Sequence, residues 1–212
     1  KDNIMYSGVG MTSITNAPLT ITGNTFTGLY GCGVEINAGS VNNNLWGYGG
    51  HTITNNNFSC SNGGNGITIW GNNGNTISGN TFLGSDHFGI LLAGSKNNII
   101  SNNNFIGTTT SDLVLGTTMN VSPMPQPPTG STGNIISGNY WDKFDSAEET
   151  CYNDSPFDKY CDTIYSVSSV PGFSNAPSLT YQDSQPWVKQ DGAMPSSPIP
   201  SPPDTQDPSV ST

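Results

Sequence analysis

The sequence contains no arginine and only five lysines, against fifteen acidic residues, so its formal net charge is −10 at pH 7. Proteins that bind nucleic acid or an anionic membrane surface need clustered basic side chains, which this chain lacks. Its longest apolar run, residues 90–93, is far too short to span a bilayer. These absences exclude nucleic-acid binding and membrane insertion from the expected functions.

Strong helix formers are also scarce, because few Leu, Ala, Glu and Lys residues are present. The chain instead has 26 Asn and 26 Gly among its 212 residues, and only 9% of its residues are charged. Asn and Gly tolerate the left-handed backbone that sharp corners need. The composition therefore favours an all-β domain with many corners, in a length that fits one domain and a tail.

A short motif recurs five times, and its central Ile falls at positions 21, 53, 77, 100 and 136. Its copies are residues 20–26, 52–58, 76–82, 99–105 and 135–141. A second apolar run follows each of the first four copies, at residues 33–36, 66–69, 89–92 and 112–115. Residues 10–13 match this second run and indicate an incomplete first coil. A repeat of about 23 residues is typical of solenoids.

The repeat predicts a stack of about five coils with two short strands each, in which like residues lie above like at about 4.8 Å. The Ile and aromatic positions would point inward, since no single coil can bury them alone. One asparagine of every copy falls in register, which predicts a hydrogen-bonded ladder of stacked amides. Its members are Asn24, Asn56, Asn80, Asn103 and Asn139.

This pattern resembles the right-handed parallel β-helix repeat family, specifically the NosD-like surface proteins common in methanogenic archaea. The resemblance covers residues 8–141, and residues 139–144 look like the Asn-Tyr-Trp element that closes these helices. Residues 183–187 are similar to the Asp-x-x-Pro element that follows in the family. The intervening acidic segment lacks the family's Asp-Gly alternation, so the resemblance leaves calcium binding open. The repeat is specific for fold, and β-helices carry many functions.

Composition divides the chain into three parts: a β-helix over residues 1–141, an acidic cap over 142–192 and a Pro/Ser/Thr-rich tail over 193–212. The cap is expected to cover the last coil, because an uncovered end is an exposed sheet edge. The tail reads as a polyproline segment, which we expect to lie along a neighbouring copy as a strap.

Features of secreted proteins are present. The chain begins at Lys1, which favours a removed signal sequence, and an even number of cysteines fits an oxidising exterior. Cys151 with Cys161 is the first expected disulfide, and Cys32 with Cys60 the second. Three sequons offer possible N-glycosylation, at Asn57, Asn120 and Asn153. The expected location is the extracellular cell surface.

Catalytic chemistry has few candidates. A polysaccharide-active enzyme would have to use Asp86, His87 and Asp112, in which a histidine beside two carboxylates could act as a general base. The plainer interpretation is a set of polar turn residues. His51 is expected to begin a strand in register with Thr20 and Thr76, facing solvent. No metal-ligand spacing and no cofactor motif occurs, so neither is expected.

Two surfaces suggest binding. Hydroxyl residues flank the inward Ile on the first three coils and form outward rows. Such rows could bind ordered water, as in ice-binding proteins, and ordinary strand propensity also explains them. The aromatic residues Trp46, Tyr48 and Trp70 could stack on sugars, or could pack against the coils. The first hypothesis is a secreted structural subunit that self-assembles through its coil ends and tail. A carbohydrate-binding or adhesive module is the alternative, and a polysaccharide-active enzyme the third.

Overall fold

The chain forms a parallel β-helix of three sheets. Each complete coil contributes one strand to every sheet. The computed structural model describes residues 4–6, 11–15, 17–28, 33–38, 49–60, 64–84, 88–107, 111–116, 131–144, 149–153, 158–168 and 180–192. Strands are numbered β1 to β18 in chain order. The prediction of an all-β, short parallel β-helix is confirmed.

Sheet A has six strands, namely β1 (Ile4–Tyr6), β4 (Thr25–Gly28), β7 (Asn57–Cys60), β10 (Thr81–Leu83), β13 (Asn104–Ile106) and β16 (Tyr140–Trp141). Sheet B has five, namely β2 (Met11–Thr15), β5 (Val34–Ala38), β8 (Ile67–Trp70), β11 (Phe88–Ala93) and β14 (Ser111–Gly116). Sheet C has five, namely β3 (Thr20–Thr22), β6 (Thr52–Thr54), β9 (Thr76–Ser78), β12 (Ile99–Ser101) and β15 (Ile135–Ser137).

The core lies inside the coils and consists of columns of like residues. The Ile column of sheet C is buried over its whole length. Sheet A contributes a stack of near-parallel rings with centroids 4.5–5.0 Å apart. Its members are Phe26, Phe58, Phe82, Phe105 and Trp141. Parallel pairing in register places identical side chains at neighbouring heights, which is how coils too small to bury these groups alone form one core.

The prediction of two strands per coil is wrong, since each coil has three. The repeat motif bends at a residue with left-handed backbone, so its Ile belongs to sheet C and its Phe to sheet A. The bending residue has φ between 55° and 67° on every complete coil. It is Gly23, Asn55, Gly79, Asn102 or Gly138. Gly and Asn occupy this corner because other side chains are strained there.

Sheet B confirms the second predicted strand of each coil, including the incomplete first one. Met11 pairs with Val34, and a buried inward column runs from Val34 through Ile67 and Ile90 to Leu113. Strand β1, which pairs with β4 on sheet A, was not predicted. It lies ahead of the repeat and carries no copy of the motif.

The C-terminal segment contains an antiparallel hairpin of β17 (Tyr165–Ser168) and β18 (Thr180–Asp183), and a short 3₁₀ turn at Gln190–Gly192. The Tyr165 ring lies 4.7 Å from Trp141, the last member of the aromatic stack. Trp187 forms a parallel bridge with Tyr140 on the last strand of sheet A. These contacts join the segment to the last coil.

Candidate functional site

The predicted asparagine ladder is present and runs through the corner between sheets C and A. Each of the first four ladder asparagines donates both its backbone N–H and its side-chain amide to Oδ1 of the next, over 2.9–3.0 Å. From the second member on, the side-chain amide also donates to the Ile carbonyl of the preceding coil. All five asparagines are buried. The ladder satisfies the polar groups that the corner buries, and it links each coil to the next.

Asp183 ends this ladder. Its Oδ2 accepts the backbone and side-chain N–H groups of Asn139, each at 3.0 Å, and Nε1 of Trp141 at 3.1 Å. Its Oδ1 accepts the backbone N–H groups of Gly138 and Gln185. The backbone N–H of Trp187 then donates to the Asn139 carbonyl, as the first residue of the next sheet A strand would. Asp183 and Trp187 therefore supply what a further coil would supply.

His51 lies in a second ladder, and its prediction as a solvent-facing residue is wrong. It is fully buried, and Thr52 rather than His51 pairs with Thr20 and Thr76. Its Nδ1 accepts the backbone N–H of Leu19 at 3.0 Å. The same position on the later coils is held by Asn75, Asn98 and Asn134. The sequence carried this signal, since each of those asparagines precedes the repeat motif directly.

The outer face of sheet C carries two rows of neutral residues, which we call the sheet C face. One row is Thr20, Thr52, Thr76, Ile99 and Ile135, and the other is Thr22, Thr54, Ser78, Ser101 and Ser137. Hydroxyls of the second row bond to one another, for example Thr54 to Thr22 at 3.2 Å. Ile99 and Ile135 pair in register and are 41% and 59% exposed. The two residues form an exposed aliphatic pair on a face that otherwise carries hydroxyl groups.

Of the three catalytic candidates, Asp112 alone lies within the described residues. Asp86 and His87 lie outside the described part of the chain. Asp112 lies in β14, where the register places it beside Gly89 of the neighbouring coil. Within the described ranges, no group of three or more His, Cys, Asp or Glu residues could hold a metal ion.

The predicted disulfides and glycosylation sites differ in how the structure places them. The Cys151–Cys161 disulfide is confirmed, with both residues buried. Cys32, Asn120 and the side chain of Cys60 lie outside the described residues. Asn57 is exposed on β7. Asn153 is fully buried, and its amide bonds to the backbone N–H and carbonyl of Asp158, so the folded chain does not present it to a modifying enzyme.

Of the three aromatic residues expected to stack on sugars, one lies within the described residues. Trp46 and Tyr48 lie outside the described residues. Trp70 is half-buried and packs against Phe88 and Leu91 on the outer side of sheet B. This contact favours the packed interpretation for Trp70, because part of its surface is already covered by apolar neighbours.

In the part of the chain that the structure describes, no helix is long and apolar enough to cross a membrane. A disulfide is compatible with an extracellular protein. β-Helices occur in enzymes and in proteins without catalytic activity, so the fold does not decide between them.

Comparison with known proteins gives one match. The family described as "right handed beta helix region" matches residues 7–142, which is more than half of the chain. No curated protein and no solved structure matches the chain. The archaeal, NosD-like relationship therefore stays a prediction. The stacked parallel sheets and the family match together show that the chain belongs to the right-handed β-helix family.

Proposed function

We propose that this chain is an extracellular structural subunit that associates with further copies of itself at a cell surface. The observation that carries the proposal is the sheet C face, which has no charged residue in its two rows and bears the exposed pair Ile99 and Ile135 at one end. Burying two such pairs against each other removes apolar surface from water, which is the main driving force for association.

Charge supports the choice of this face. The chain carries a net charge of −10, so two copies repel each other wherever acidic surfaces meet. Seven of the acidic residues lie between positions 142 and 162, in the C-terminal segment. The sheet C face has no charged residue in either row, so contact between two copies is least opposed there.

The proposal differs from the expectation that neighbours dock on both coil ends. Asp183 and Trp187 already bond to the last coil in the place of a further one. A neighbour at that end would meet the C-terminal segment instead of open strands. The lateral sheet C face therefore replaces the C-terminal end as the proposed contact, and the strap role of residues 193–212 stays a prediction.

Sedimentation velocity over a range of protein concentrations tests the proposal. We expect the wild-type chain to form larger species as concentration rises, and the double variant Ile99→Lys/Ile135→Lys to weaken association about tenfold or more, because it places charge in the contact. Ile164→Lys is the matched control, since Ile164 is 51% exposed but lies in the C-terminal segment.

The control should assemble like the wild type, and all three proteins should unfold at similar denaturant concentrations. Association of the double variant that equals that of the wild type would overturn the assignment of the sheet C face.

A further inference from the structure

A groove runs along the outside of the corner between sheets C and A, over the first three complete coils. Its volume is about 430 Å³, which is within the range of small-molecule sites. It is open to solvent along its length. The residues that line it include Gly23, Thr25, Asn55, Asn57, Thr81 and Gln190.

The chemistry of the lining is neutral and polar. Of the described residues that line the groove, none carries a charge, and Leu83 is the single large apolar one. Amide and hydroxyl groups give both donors and acceptors of hydrogen bonds. A phosphate or a cation finds no counter-charge there, and an apolar ligand finds little surface to bury. The lining fits a neutral ligand rich in hydroxyl groups.

On the next coil, the residue at the outward position of this corner bonds to the C-terminal segment of the same chain. Asn104, in register with Thr81 and one coil beyond it, is buried under the C-terminal segment. Its Oδ1 accepts the backbone N–H of Asp191 at 2.8 Å, and its Nδ2 donates to Asp191 Oδ1 at 2.7 Å. The amide thus bonds at two points to one donor and one acceptor that lie side by side.

Asn57 holds the same outward position two coils before Asn104, and there it is exposed. Neighbouring hydroxyls on a sugar ring offer the donor and acceptor that Asp191 offers to Asn104. The buried Asn24 and Asn56 below the groove are fixed by the ladder, so little backbone freedom is lost when a ligand binds.

From this geometry we infer that the groove binds a neutral oligosaccharide, with Asn57 bonding to two adjacent hydroxyl groups of one sugar unit. Thr25 and Thr81 flank Asn57 on the coils before and after it and contact the units on either side. Gln190 limits the groove where the C-terminal segment crosses to Asn104. The site is separate from the sheet C face and does not depend on self-association.

Calorimetric titration and saturation-transfer NMR with four trisaccharides test this inference: cellotriose, maltotriose, mannotriose and tri-N-acetylchitotriose. The full chain is produced in a host without N-linked glycosylation, and an intact mass checks that Asn57 carries no glycan. We expect at least one trisaccharide to bind with a dissociation constant in the millimolar range or below. Asn57→Ala should weaken that binding about tenfold, since it removes two hydrogen bonds.

Two further variants separate the groove from other surfaces. Thr25→Phe fills the groove with a bulky ring at an outward strand position and should also weaken binding. Thr20→Ala, on the exposed sheet C face, should leave it unchanged. Failure of all four trisaccharides to bind, or equal affinities of Asn57→Ala and Thr20→Ala, would overturn the inference.

Discussion

Asp183 shows how one residue can replace a coil. On four coils the ladder asparagine donates to the asparagine of the next coil. Asn139 donates instead to a carboxylate that lies 44 residues later in the chain. A single carboxylate accepts five N–H groups there, two at Oδ1 and three at Oδ2. A carboxylate suits the position because it offers acceptors only, and every group around it is a donor.

Replacing Asp183 should therefore be costly. Asp183→Ala leaves buried donors without acceptors and should lower the free energy of unfolding by at least about 3 kcal/mol. Asp183→Asn keeps one oxygen but turns its amide towards N–H groups, so it should recover only part of that loss. Urea unfolding measures both, with Gln182→Ala on the exposed side of the same strand as the control. Equal stability of Asp183→Ala and the control would contradict the ladder account.

On the second ladder, His51 takes the place of an asparagine. Its imidazole Nδ1 accepts a backbone N–H of the preceding coil, as an asparagine Oδ1 does on the later coils. We expect His51→Asn to keep most of the stability, because asparagine holds this position on three later coils. His51→Val removes the acceptor for the Leu19 N–H and should cost about 1–3 kcal/mol. Thermal and urea unfolding compare the two, and an equal loss in both variants would show that the histidine has another role.

At the scale of the element, the aromatic stack of sheet A is the largest continuous feature of the core. Phe82 lies between Phe58 and Phe105, with ring centroids 5.0 Å away on either side and planes tilted by 7° and 8°. Aromatic pairs at these separations add to the free energy that burial alone provides. Because the rings belong to successive coils, the stack links coil to coil along the axis.

Phe82→Ala should lower the free energy of unfolding by about 3–5 kcal/mol, since it opens a cavity in the middle of the stack. Its neighbour Leu83, half-buried on the outer face of the same strand, provides the matched control. Leu83→Ala should cost much less, because the site can be filled by water or by side-chain movement. Urea unfolding of the two variants is the measurement, and similar losses would mean that the stack is not the core of the coil.

Strands and ladders that follow the repeat could be predicted from the sequence, and those outside it could not. Fixed spacing of Ile, Phe and Asn predicts the coils, the inward columns and the first ladder, because a stack repeats identical contacts at identical offsets. The third strand was missed because three-residue strands joined by one left-handed residue look like a single run. The end of the ladder was also missed, since Asp183 follows the last repeat at no periodic distance. Its neighbours in the fold are fixed by the C-terminal segment, which has no repeat.

At the scale of the whole molecule, charge is unevenly distributed. The coils present mainly hydroxyl, amide and aliphatic groups, and the acidic residues concentrate in the C-terminal segment. That segment is closed by the Cys151–Cys161 disulfide and bonded to the last coil through Asp183. The coils therefore carry few charges and the C-terminal segment is acidic. If copies associate as proposed, we expect contact at the side of the coils and not at the acidic end.

Negative-stain electron microscopy of the purified wild-type chain, from nanomolar to high micromolar concentration, shows directly whether copies associate through their sides. We expect ordered particles that grow with concentration, in which neighbouring copies lie side by side. Single particles of one size at every concentration would contradict it, and the chain would then act as a monomeric surface module.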